Sequence, residues 1–176
     1  MRYLSGCDHF TSVNDTTDLC VLGVLFDDAR TINSLVSAVR ILDTAQWTPT
    51  REVLEFSIKR LLETGALVNL ASGNEIYYSI TGKGIKRYFT LMKLPLGAYS
   101  LNTQSTLALK SAFLENVPST VRTQTVRELI SYYACKLTCL EQNCDSCLQN
   151  SGRQKLNHNM QIQQIKTELD WLQTMT

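Results

Sequence analysis

Between Asp18 and Leu91 the spacing of apolar residues changes several times, and each change marks an element. Leu19 to Phe26, LCVLGVLF, is almost wholly apolar, which predicts a buried helix with Thr16, Thr17 and Asp18 as candidate caps. A turn at Asp27, Asp28 and Ala29 follows. Thr31 then caps a helix presenting Ile32, Leu35, Val36 and Val39 to a core. Leu54, Ile58 and Leu61 recur at helical spacing, while Arg51, Glu52, Glu55 and Lys59 fall on the other face, so one side is packed and the other wet. Pro49 sets the first turn of that helix, Thr50 offers a capping oxygen, and Gly65 ends it. Ala66 to Leu70 and Ile76 to Ile80 are rich in strand formers and flank Ser72-Gly73-Asn74, which predicts a hairpin. Thr81 opens a further helix with its body from Lys83 to Leu91. Helix, helix, helix, hairpin, helix is the order of a winged helix-turn-helix, in which the third helix, here Thr50 to Thr64, enters the major groove.

Lys93-Leu94-Pro95-Leu96-Gly97 breaks the pattern and predicts a domain boundary. A helical arm is expected beyond it, with helices over Thr106 to Glu115, from Pro118 to about Leu140, and over Arg153 to Met175. In the last, Ile162, Ile165, Leu169 and Leu172 keep a 3-4-3 spacing of coiled-coil type, with Trp171 beside them. Such a seam needs a partner, either a second copy or another part of the same chain. The expected division is an extension over 1–17, the winged helix over 18–92 and a helical, coiled-coil-like dimerisation domain over 93–176. The fold is thus mostly α with one small β-hairpin wing.

Two stretches resemble a known family. Trp47 to Leu67, closed by Gly65, and Tyr77-Tyr78-Ser79-Ile80-Thr81-Gly82-Lys83-Gly84 are similar to the PadR family of bacterial transcriptional regulators, in particular its AphA-like branch. Thr106 to Glu141, containing Leu107-Ala108-Leu109-Lys110-Ser111-Ala112-Phe113-Leu114, and Ile165 to Leu172 look like that family's C-terminal helical domain, so the likeness runs from about Leu19 onward. The resemblance implies a homodimer that binds DNA, with a small-molecule effector of unknown identity as a further partner. It departs at Glu55, where family members commonly have a Tyr.

Charge changes this picture. The whole chain carries a net +1, and Asp18 to Met92 holds eight Lys/Arg against eight Asp/Glu, so the expected DNA-binding domain is neutral although DNA binding rests on phosphate neutralisation. Groove-facing candidates are Arg51, Glu52, Glu55 and Lys59; Lys83, Lys86 and Arg87 are candidates for phosphate contact. Dimer candidates are Ile162, Ile165, Leu169, Trp171 and Leu172.

Of six cysteines, Cys135, Cys139, Cys144 and Cys147 form a C-x3-C-x4-C-x2-C run. Its spacing is not that of a zinc knuckle, so Cys135 and Cys139 are expected to be small packed residues and Cys144 and Cys147 to lie in a bend; a metal site or a thiol switch is the competing reading. Cys7 and His9 stand two apart without a second pair, in a segment expected to be loose. No apolar run is long enough to cross a bilayer and the first residues lack signal-peptide character, which points to the cytoplasm. The two histidines, His9 and His158, stand near no nucleophile or paired carboxylate, and Gly82-Lys83-Gly84 lacks P-loop spacing, so no enzyme and no cofactor is expected. The leading reading is a homodimeric regulator reading a pseudo-palindromic site. The alternative is a winged-helix protein-interaction module without DNA binding, thiol- or metal-responsive through its cysteines.

Overall fold

A computed structural model describes residues 12–42, 48–96, 103–142 and 152–175. Cys7, His9, Trp47, Gly97, Cys144 and Cys147 lie outside them, as do the sequence expectations that rest on those residues.

Helix α1, Val13–Val24, starts six residues before the expected apolar run. Ser12 accepts from the backbone N–H of Asp15 while the Asp15 carboxylate accepts from the backbone N–H of Ser12, a reciprocal box that satisfies two end groups at once. Thr16, Thr17 and Asp18 are therefore not caps but buried helical residues. Thr16 bonds Thr106 across 2.9 Å. Helix α2, Ile32–Ile41, has the expected cap, Thr31 accepting from the Ser34 N–H.

Helix α3, Arg51–Glu63, buries Leu54, Ser57, Ile58 and Leu61. Its N-cap residue is Thr50, but the hydroxyl makes no cap bond, and Pro49 lies outside the first turn. Beside it stands Glu52, whose carboxyl interacts with its own backbone N–H and with the Thr50 side chain. The N–H bond first and the Thr50 bond second hold that carboxyl below its ordinary value.

Strands β1, Leu67–Ser72, and β2, Glu75–Ile80, pair antiparallel with Leu67 opposite Ile80 and Ser72 opposite Glu75. Gly73, at φ +60, supplies the left-handed residue of the turn. The other edge of β2 is covered by the α1–α2 connection, where Arg30 and Tyr78 exchange backbone bonds of 3.1 and 2.8 Å.

Helix α4, Gly82–Lys93, is fastened to the start of β1. The Thr81 hydroxyl accepts from the Gly84 N–H at 3.1 Å and donates to the carbonyl of Gly65 at 2.8 Å, while the Thr81 N–H donates to the Ala66 carbonyl at 3.0 Å. At the far end the ammonium of Lys110, a fully buried lysine, donates to the Leu94 carbonyl, placing its charge at a helix C-terminus. Lys110 belongs to α5, Thr103–Ala112, which packs on α1 and leads through a 3-10 turn, Leu114–Asn116, to α6, Ser119–Gln142.

The first compact unit therefore reaches Val121 and includes α5, past the boundary expected at residues 93–97. Its core is Leu19, Leu22, Leu25, Leu35, Leu54, Ile58, Leu67, Leu91 and Met92, joined by an aromatic group of Phe26, Tyr88, Phe89 and Phe113. Tyr88 is fully buried, and its hydroxyl has no hydrogen-bond partner among the described residues. Burial first, and the Asp27 carboxylate second, push that phenol well above its usual range. Tyr88→Phe is expected to keep the fold and raise stability by about 1 kcal/mol, because an unpaired buried hydroxyl costs about 1–3 kcal/mol. Urea unfolding of the two proteins checks this; a loss of comparable size would mean that the hydroxyl is paired.

The second unit, from Arg122, comprises the rest of α6 and α7, Gly152–Gln173. Lys166 and Glu141 pair across 3.5 Å, and Tyr133 is pushed up to about 12 by burial first and Glu168 second. Ile165 and Leu172 are 4% and 0% exposed in the single chain, and Ile162 and Leu169 are half-buried, so the 3-4-3 seam is largely covered without a second copy. The solvent face of α7 instead carries Leu156, Met160 and Trp171.

Candidate nucleic-acid interface

With Leu54, Ile58 and Leu61 turned inward, about 100° of rotation per residue leaves α3 with two exposed flanks and a crown. The flank toward α2 holds Arg51 and Glu55, paired across 2.8 Å, and a second Arg51 nitrogen donates to Asn33 Oδ1 at 2.8 Å. One turn on, Lys59 is exposed and has no ion-pair partner among the described residues. The crown is acidic, with Glu52 and Glu63 both exposed.

The flank toward α1 was not foreseen. Phe56 is 65% exposed and Val53 41%, and together with Val13, Asn14, Thr17, Glu52 and Arg60 they line a groove of about 310 Å3. The Arg60 guanidinium sits 5.7 Å from the Phe56 ring centre. The only sequence signal for this flank was that Val53 and Phe56 fall outside the Leu54, Ile58, Leu61 face.

Arg60 is committed inward. It pairs with Asp18, whose carboxylate also accepts from the Ser57 hydroxyl at 2.7 Å and lies 3.7 Å from Arg87. Arg87 pairs more closely with Asp15. Burial raises the Asp15 pKa, but the Ser12 hydrogen bonds and the Arg87 charge outweigh it, and the carboxyl is held below its ordinary value. Arg87, expected on a phosphate, is thus turned toward two carboxylates of α1. Lys83 and Lys86 are exposed with no ion-pair partner among the described residues, and Lys93, absent from the sequence prediction, extends their side of α4. Lys83 also borders a cleft of about 500 Å3 shared with Asp15, Asp18, Arg60, Leu61 and Arg87.

The wing brings no cation. From Ala66 to Ile80 the only charged residue is Glu75, which accepts from the Tyr77 hydroxyl at 3.0 Å, and Val68, Leu70 and Ile76 face solvent. Cys135 and Cys139 are exposed, not packed as expected, because they lie on the outward face of α6. Among the described residues no helix is long and apolar enough to cross a membrane.

Three helices, a two-stranded wing and a closing helix, followed by a helical arm, define a winged helix-turn-helix protein. Residues 7–176 match the family described as "Putative AphA-like transcriptional regulator", and the chain belongs to this family, one of regulators rather than enzymes. Among solved structures it is similar to Bacillus subtilis PadR in complex with p-coumaric acid, at 12% identity and a TM-score of 0.44 over 93% of this chain and 95% of that one. It is also similar to Bacillus subtilis PadR in complex with operator DNA (14% identity, TM-score 0.41, 90% and 95% covered). A PadR-like regulator from Bacillus cereus gives 13% identity and a TM-score of 0.43, with 91% and 99% covered. No curated protein matches the sequence.

Proposed function

We propose that the chain is a homodimeric DNA-binding regulator that reads a pseudo-palindromic site through α3 and the wing. The observation carrying this reading is an α3 held by its inner face with its whole outer side open, on a chain of the AphA-like family. Arg51 and Lys59 are the side chains suited to base edges, and Lys83 and Lys86 those suited to phosphates. Glu52, Glu55 and Glu63 oppose phosphate approach, which makes the affinity low and its salt dependence shallow.

Glu55 acts twice against DNA, as an anion and as the clamp on Arg51. Glu55→Gln is expected to strengthen non-specific binding and steepen the log–log salt dependence by about one unit, the equivalent of one freed cation. Anisotropy titrations of genomic fragments over a salt series measure both. Silence of wild type and variant at low salt would remove the DNA reading.

One observation favours the alternative, a protein-interaction module: the apolar flank of Val13, Val53 and Phe56 beside an acidic crown and a cation-free wing. A protein that binds no DNA but whose Phe56→Ala variant loses a protein partner would fit that reading.

The dimer is assigned to the solvent face of α7, since the seam on its other face is largely occupied within the chain. Leu156, Met160 and Trp171 lie on one stripe, with Trp171 as an aromatic anchor. Met160→Glu with Trp171→Ala is expected to give a folded monomer. Leu172→Ala is expected instead to cost about 2–5 kcal/mol of stability, as a truncation at a fully buried position. Sedimentation and melting distinguish the two; a double variant that stays dimeric would place the interface elsewhere.

A further inference from the structure

We propose that Cys135 and Cys139 form a two-thiolate site on α6 for a soft, thiophilic metal ion. Unbonded cysteine is among the most buried residue types, and Cys20 behaves that way, enclosed in α1 with its thiol pushed up to about 12 by burial. Cys135 and Cys139 are both exposed, so packing within the described chain does not account for them.

Their spacing selects the chemistry. Residues four apart on a helix stand one above the other with Cβ atoms about 5–6 Å apart. A disulfide needs Cβ atoms about 3.5–4.5 Å apart, which the helix reaches only by deforming. A metal ion with bonds of about 2.3 Å to each sulfur spans the wider gap without that deformation. Thiolate pairs favour soft ions of the Cu(I) and Zn(II) kind, and Cd(II) serves as a spectroscopic probe of the same ligand set. Among the described residues no third His, Cys, Asp or Glu completes a cluster; in the proposed site the two α6 thiolates are the protein ligands, and water or another exchangeable ligand fills the rest. Binding a divalent ion to two thiols forms two metal–sulfur bonds and releases two protons. The site belongs to the second unit and does not depend on DNA binding.

The test is a titration of the reduced full-length protein with Cd(II), followed by the sulfur-to-metal charge-transfer band in the ultraviolet. Wild type is expected to take up about one ion per chain with proton release. Cys135→Ser and Cys139→Ser, each removing one arm of a chelate, should weaken binding by at least about 100-fold. A double Cys144→Ser, Cys147→Ser variant should bind as wild type does. Circular dichroism verifies each variant's fold, with Cys135→Ala and Cys139→Ala replacing any serine variant that melts early. Wild-type affinity retained without Cys135 or without Cys139, or binding lost with Cys144 and Cys147, overturns the assignment.

Discussion

Asp18→Ala is expected to cost about 3 kcal/mol, the lower end of the range for breaking a buried ion pair by removing one partner. Asp18 is 4% exposed and takes part in pairs with Arg60 and Arg87 and in the bond from Ser57. Removing its carboxylate leaves Arg60 without its counter-charge and the Ser57 hydroxyl without its acceptor. Because the Arg60 side chain is 26% exposed, water repays part of the loss, which keeps the figure from the upper end. A double variant, Asp18→Leu with Arg60→Leu, removes both charges and is expected to recover most of the stability, since apolar replacement of a whole buried pair is often neutral. Urea unfolding of wild type and the two variants measures both differences. A loss below about 1 kcal/mol in the single variant would mean that the pair acts as an ordinary surface bridge.

Gly84→Ala is expected to destabilise by about 3 kcal/mol, although alanine is intrinsically better than glycine inside a helix by about 1 kcal/mol. A Cβ at this position would lie 2.2 Å from the carbonyl oxygen of Ala66 and 2.7 Å from Ile80 Cγ1. The oxygen belongs to the backbone and also accepts the Thr81 N–H, so moving it breaks the junction that ties α4 to the hairpin. Gly82→Ala is the control: nothing lies within 4 Å of its Cβ, and the expected change is near zero or slightly stabilising. Melting curves of the two variants should separate clearly; equal curves would show that α4 slides to make room.

The contrast between these glycines was not legible in the sequence, where Gly82-Lys83-Gly84 reads only as a helix start after a strand. The outline of the winged helix was legible. Leu54, Ile58 and Leu61 repeat at helical period, and Gly73 between two β-rich runs calls for a left-handed turn. The start of α1 was not, because Thr16, Thr17 and Asp18 are polar and period assigns polar residues to solvent. Two of them are buried through partners far along the chain, Thr106 for Thr16, and Ser57 and Arg60 for Asp18. The ion pair of Arg87 was hidden for the same reason, its acid lying 72 positions earlier. The seam on α7 illustrates a different limit. The spacing of Ile162, Ile165, Leu169 and Leu172 announces that a face is covered, but a single chain and a dimer cover it equally well.

Helix α4, twelve residues and therefore about 18 Å long, is secured at both ends, by Thr81 and Ala66 at one and by Lys110 at the other. The hairpin and α5 are thus tied to opposite ends of one helix through backbone carbonyls, so the hydrogen bonds at Ala66 and Leu94 hold three elements together and not two.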